Sequence, residues 1–244
     1  MINSNHSSTA LICSVVIPTY NEGAYIQAAL DSVRVQSPPW EIIVADGAST
    51  DETCQIASSC AKVIQVVRGR ARQLNAGANM AEGELLVFLH ADSRLPPGAL
   101  DHLRRLFNHG SLEAGIFALK FDPTGFWPSI YAACARLPWH RLCFGDRGIF
   151  IRRDVFETLG GFPDIPIFED LQLVEQLHRR KSFRYVQMSV TTAYRRFEQY
   201  GQLRQQYHNL RLWLQYHMGT PPEKLAPLYP YETLTELSAG NEAM

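Results

Sequence analysis

With 244 residues and 46% hydrophobic side chains, the chain can bury one large α/β core or two small ones unaided. Lys plus Arg number 23 and Asp plus Glu 24, so the net charge of −1 excludes a globally basic nucleic-acid binder; any cationic patch has to be local. The five cysteines, Cys13, Cys54, Cys60, Cys134 and Cys143, are odd in number and lack CxxC spacing, which points to reduced thiols in a cytoplasmic setting.

Met1 to Ala10 is polar and lacks a basic start followed by an apolar run, so it reads as a frayed leader, not a signal peptide. Leu11 to Ile17 is a β-rich apolar run closed by Pro18. Ile26, Leu30 and Val33 then recur at helical spacing over Glu22 to Val35, with Asn21 as the expected cap and Ser37-Pro-Pro39 as the stop. Ile42 to Ala45 predicts a second strand, followed by the acidic turn Asp46-Gly-Ala-Ser-Thr-Asp51 and a helix through Cys60. Val63 to Val67 predicts a third strand, Gly69-Arg-Ala-Arg72 a basic turn, and Gln73 to Ala81 a small-residue helix able to pack closely on a sheet. Glu84 to Leu89 is a continuous apolar run, expected to be a central strand covered on both faces. It delivers His90 and Asp92 to the place where open α/β sheets bind ligands; Asp92 either holds a ligand there or caps a helix beginning near Pro96.

Strands alternating with helices at this spacing predict right-handed βαβ units over roughly the first hundred residues. Beyond Gly98 the rhythm loosens: a helix near Ala99 to Asn108, a strand at Ala114 to Phe121, and an aromatic stretch from Phe126 to Phe144 whose Trp127, Tyr131 and Trp139 line either a groove or the core. A short strand at Gly148 to Arg152, helices at Asp154 to Leu159 and Glu169 to Arg180, and closing strands at Phe183 to Val186 and Thr191 to Phe197 follow. Leu203, Tyr207, Leu210, Leu214 and Met218 mark a long amphipathic helix over Gln199 to Met218, with core packing as its expected use and contact with a membrane surface as the alternative. No run is long enough to span a bilayer.

Three polar turns therefore follow presumed strands: Pro18-Thr-Tyr-Asn-Glu22, Asp46-Gly-Ala-Ser49 and His90-Ala-Asp92. Parallel neighbours bring them to one rim, where Tyr20 can face a nucleotide base, Asp46 can accept from base or ribose hydroxyls, and Arg70 with Arg72 can meet phosphates. The lack of GxGxxG after the first strand argues against a dinucleotide cofactor.

The ordered blocks Ser14-Val-Val-Ile-Pro-Thr-Tyr-Asn-Glu22, Asp46 to Asp51, Asn75-Ala-Gly77 to Ala81-Glu-Gly83, Phe88-Leu-His-Ala-Asp92 and Phe168-Glu-Asp170 resemble those of family-2 glycosyltransferases of the GT-A fold. Through Gly69 to Gly77, Gly145-Asp-Arg-Gly148 and Tyr194-Arg-Arg-Phe197 the chain most resembles a small soluble bacterial group called selenodomain-associated transferase 2. The resemblance implies a single domain with a Rossmann-like, mostly parallel sheet. Its nucleotide-sugar half covers about residues 12–98, its acceptor half about 99–218, and 219–244 form a tail.

The resemblance further implies inverting transfer from a nucleotide-diphosphate sugar to a small or lipid-linked hydroxyl acceptor, with Asp170 as base. It places donor contacts at Pro18, Tyr20, Glu22, Asp46, Gly47, Arg70, Arg72 and Asn75, and acceptor or diphosphate contacts at Asp146, Glu169, Arg195 and Arg196. Asp92 corresponds to the last acid of an Asp-x-Asp block holding Mg²⁺ or Mn²⁺. His90 stands where the family has its first Asp and is either a weak ligand or a hydrogen-bonded structural residue, which leaves a nucleotide-sugar-binding protein with little turnover as an alternative. A nucleotidyltransferase, the other alternative, would carry a basic glycine-rich loop after strand one, and Pro18 to Gly23 has no basic residue.

Overall fold

The computed structural model describes residues 11–108, 111–122, 147–180, 182–193 and 202–228, and for 202–206 the backbone alone. Eight strands form one sheet in the order β3-β2-β1-β4-β7-β6-β8-β5. Strands β1 (Cys13–Thr19), β2 (Trp40–Asp46), β3 (Lys62–Gln65) and β4 (Leu85–Phe88) are parallel, as the βαβ rhythm predicts. Beyond β4 the pairing turns mixed. β7 (Ile149–Arg152) runs antiparallel to both β4 and β6 (Ala114–Asp122), and β8 (Phe183–Ala193) runs parallel to β6 and antiparallel to the two-residue β5 (Ser93–Arg94).

Successive side chains on a strand point to opposite faces, so each buried strand feeds two cores. Val15, Ile17 and Val87 enter one, with Ile26, Leu30 and Val33 of α1 (Gly23–Arg34) and Leu100, Leu103 and Phe107 of α4 (Ala99–Asn108). Val16, Leu86 and Phe88 enter the other, with Leu74 and Ala78 of α3 (Arg70–Met80), Val155 and Phe156 of α5 (Arg153–Thr158), and Leu173, Val174 and Leu177 of α6 (Glu169–His178). The short α2 (Thr53–Ala57) closes the turn after β2. At Gly77 a Cβ would lie 2.3 Å from Val16 Cγ1, so α3 rests directly on β1, the close approach its small residues foreshadow.

Several elements differ from expectation. The basic turn Gly69 to Arg72 is the start of α3, which puts Arg70 and Arg72 in a helix's first turn. Asn21 does not cap α1: Glu22 is its N-cap, and the Gly23 amide donates to Asp51 Oδ2 at 2.9 Å, so the following turn supplies the carboxylate. The two closing strands are one continuous β8, held to β6 across a register shift at Phe117/Ala118. Part of the expected tail is folded, as α8 (Pro222–Leu225) and a 3₁₀ turn (Ala226–Leu228), with Leu225 and Ala226 buried.

The apolar stripe of α7 (Gln202–His217), expected in the core, instead faces outward at Tyr207, Leu210, Leu214 and Met218. The helix's other side packs inward through Leu212 and Tyr216, and that contact sets its rotation. The Leu203 side chain, Phe126, Trp127, Tyr131, Cys134, Trp139, Cys143, Asp146, Arg195, Arg196 and the last part of the tail lie outside the described residues.

Gly77→Ala tests the α3–β1 contact. Overpacking against Val16 is expected to lower the unfolding free energy by about 1–3 kcal/mol, despite alanine's better helix propensity, and to lower the urea midpoint accordingly.

Candidate active site

In-register pairing of Thr19 with Asp46 and of Val16 with Phe88 sets the turns after β1, β2 and β4 side by side at the carboxyl edge of the sheet. Among the described residues the non-glycine positions with left-handed backbone are Asn21 at φ 52°, Ala48 at φ 67° and Phe168 at φ 65°. Two lie in these turns and the third immediately precedes Glu169 and Asp170. Such conformations cost roughly 1–3 kcal/mol each and persist where the surroundings over-determine them, which marks this rim as the strained part of the fold.

Its framework is a set of buried hydrogen bonds. Asp46, fully buried, accepts from the Thr19 hydroxyl at 3.0 Å, the Ser49 amide at 2.8 Å, the Ser49 hydroxyl, and Gln65 Nε2 at 3.1 Å. Burial alone would push its carboxyl up, but the hydrogen bonds from Ser49, Cys54 and Thr19 outweigh that and hold it below the usual aspartate value of 3.8. The oxygens of Asp46 are turned to the turns it braces, because both strand ends leave donors there to be satisfied.

Gln73, which sequence reasoning missed, donates from Nε2 to the carbonyls of Thr19 at 2.7 Å and Ala45 at 2.8 Å. Gly47 lets that amide in, since a Cβ there would stand 3.1 Å from Gln73 Nε2. Asn21 Oδ1 accepts from the Thr50 amide at 2.8 Å and ties the first turn to the second. Glu22 lies at the same junction, its amide donating to the Thr53 hydroxyl at 2.8 Å. Pro18 and Tyr20 are half-buried, and the Arg68 guanidinium stacks 4.0 Å over the Tyr20 ring. Arg68, also missed, supplies the exposed cation beside the expected base-stacking face.

The two arginines of α3 part company. Arg72 points outward and pairs with Asp164, its Nε 3.0 Å from both carboxylate oxygens; this is an exposed pair of little energetic weight. Arg70 points to the rim. Its guanidinium lies 3.1 Å from Glu169 Oε1 and 3.2 Å from Asp170 Oδ2, and also meets His90 Nε2. A guanidinium only donates, so a hydrogen bond here takes His90 Nε2 as its acceptor. That contact occupies Nε2 and matches the second of the two expected uses of His90, a hydrogen-bonded structural residue. Glu169 and Asp170 are both buried at the start of α6, where the helix dipole favours their charge.

Asn75, expected at the donor, instead pairs with the backbone of Phe162. Its Nδ2 donates to the carbonyl at 2.8 Å and its Oδ1 accepts from the amide at 2.9 Å, mooring the loop that leads to α6. Arg147 is buried and donates to the Phe117 carbonyl at 3.1 Å, a structural use within the expected acceptor-side turn.

Asp92 is half-buried, and its Oδ1 accepts from the hydroxyls of Ser93 and Thr192 at 3.3 Å each. No cluster of three His, Cys, Asp or Glu among the described residues could cage an ion. The donor set fits instead the mode in which Mg²⁺ or Mn²⁺ uses one or two carboxylates and completes its shell with substrate phosphates, and Asp92, steadied by two hydroxyls, would be that carboxylate.

Residues 14–161 match the family model described as glycosyl transferase family 2. The chain belongs to that family. A relative from Mycobacterium bovis, named PGL/p-HBAD biosynthesis glycosyltransferase, is 30% identical over 163 residues, covering 61% of this chain and 62% of its own. Staphylococcus aureus TarS, a poly(ribitol-phosphate) beta-N-acetylglucosaminyltransferase, is 36% identical over 90 residues, covering 32% of this chain and 16% of its own, so the chain spans less than two thirds of either relative. The structure of TarS 1-349 in complex with UDP superposes with a TM-score of 0.64 at 21% identity, covering 75% of this chain and 60% of that one. The mannosyltransferase PcManGT from Pyrobaculum calidifontis, in complex with GDP-Man and Mn²⁺, gives 0.61 at 21% identity over 88% and 67%. These likenesses establish the GT-A architecture for the family 2 chain.

Because folding lowers the Asp46 carboxyl below its usual 3.8, the stability it contributes is complete above that value and is lost as pH falls through it toward the folded one. Asp46→Asn should therefore lower the melting temperature at neutral pH, by about 1–3 kcal/mol of stability for the unmade hydrogen bonds, and flatten the acid limb of melting temperature against pH.

Proposed function

We propose that this chain transfers a sugar, with inversion, from a nucleotide-diphosphate donor to a hydroxyl acceptor. One observation carries the proposal: Arg70 joins the buried acid Asp170 to the ligand-binding edge of the sheet through His90. The UDP and GDP-Man complexes of the structural relatives support the donor class.

In-line displacement forms a bond from the acceptor oxygen to the anomeric carbon as the bond to the diphosphate oxygen breaks. The acceptor hydroxyl must lose its proton, and the departing diphosphate gains charge. Asp170 takes the proton; its carboxylate is fixed at the α6 terminus, with Oδ1 accepting the Leu171 amide at 2.6 Å. Arg70 supplies pre-oriented positive charge for the diphosphate, worth most where water is scarce. His90 and Glu169 hold that guanidinium against free rotation, so little ordering is left to be done when the donor binds. Tyr20, under Arg68, offers the face for the base. Asp92 would hold Mg²⁺ or Mn²⁺ jointly with the donor, and the ion would neutralise further charge on the leaving diphosphate.

Asp170→Asn should retain donor binding by calorimetry yet lose about 10²–10⁴-fold in transfer or donor hydrolysis, measured across a panel of UDP-, GDP- and dTDP-sugars. Equal rates in variant and parent would leave a nucleotide-sugar-binding protein. Asp92→Asn should abolish the Mn²⁺ dependence of donor affinity, while metal titrated without nucleotide gives no saturable heat with either protein.

A further inference from the structure

The outward stripe of α7 is unexplained by the site. Tyr207, Leu210, Leu214 and Met218 are 70, 52, 45 and 75% exposed. At 100° per residue they fall within an arc of about 80° on one side of the helix. Leu228, 44% exposed, lies close by, since the His208 ring meets its carbonyl. Single exposed apolar side chains are ordinary, but a row of them along about three turns is a contact surface.

Charge indicates what covers it. From Gln199 to Met218 the chain carries Arg204, His208, Arg211 and His217 and not one Asp or Glu, and Arg211 is exposed beside the stripe. An apolar row with exposed Arg211 beside it, on a helix whose sequence carries no acid, fits an anionic lipid surface, with the helix lying in its plane. A second copy of the same face would set Arg211 against Arg211.

The inward side of α7 leads to the site. Leu212 is buried, the Tyr216 ring packs 4.8 Å from that of Phe168, and His217 Nε2 lies 3.4 Å from Glu175 Oε1. Phe168 is the left-handed residue from which α6 starts, with Glu169 and Asp170 following. One helix therefore presents an acid-free apolar stripe outward and grips the base-bearing helix inward.

We propose that α7 docks this protein on anionic membrane surfaces. The full chain is tested by sedimentation with vesicles of phosphatidylcholine plus phosphatidylglycerol, or of phosphatidylcholine alone, together with donor binding in solution without vesicles.

The parent should bind the anionic vesicles and bind the neutral ones far less. Leu210→Asp with Leu214→Asp should weaken that binding roughly ten-fold or more, and Arg211→Glu should weaken it in the anionic case, with melting temperature and donor affinity unchanged. The proposal is overturned if the parent stays in the supernatant, if the variants bind vesicles as the parent does, or if the parent is a dimer that the variants split into monomers. Loss of donor binding in the parent would instead sink the transfer reading and leave the docking result standing.

Discussion

The side-chain amide of Gln73 holds the site together. By donating to the carbonyls at the ends of β1 and β2 it fixes the first turn of α3 against two adjacent strand ends. The Thr19 carbonyl also accepts from the Gly47 amide at 2.9 Å, so Gln73 adds a second donor there and ties that strand end to the neighbouring one. Everything the rim presents depends on this geometry: Gly47 must lack a Cβ, Gly77 one turn further along must lie on Val16, and Arg70 one turn before must project over the sheet edge. A neutral, fully satisfied polar contact thus positions a charged one.

Arg70 faces two buried carboxylates and the His90 ring, so one guanidinium is shared among three partners. An anion bound to Arg70 would compete with Asp170 and Glu169 for the same cation and so raise the proton affinity of the carboxylate it displaces. Removing one partner of such a buried group costs more than the contact itself contributes, which explains why three supports surround one arginine.

Much of this was legible in the sequence, and the reasons for the remainder are physical. Continuous apolar runs ended by polar turns located β1, β2 and β4, because strands buried on both faces leave few alternatives. Arg70 and Arg72 could not be told apart, since α3 starts without a Ser, Thr, Asp or Asn cap and its small, polar sequence gives a weak periodic signal. Once the helix is placed, two residues of separation turn one arginine to the rim and the other to Asp164. Gln73 and Asn75 bind backbone carbonyls and amides far along the chain, contacts that no local pattern encodes; a lone Gln four residues before a sheet-facing Gly is the trace they leave. In α7 both faces carry apolar residues, so periodicity establishes the helix but not which side turns inward.

The Asn75 amide pairs with a backbone 87 residues downstream through both of its functional atoms. Since α3 and the loop before α6 are moored in this way, the two halves of the molecule have no free joint between them at that level. The first turn of α3 and the turn carrying Glu169 and Asp170 are therefore held together by hydrogen bonds and ion pairs. Phe168, at the start of α6, packs on Tyr216, so α7 rests on the same moored turn.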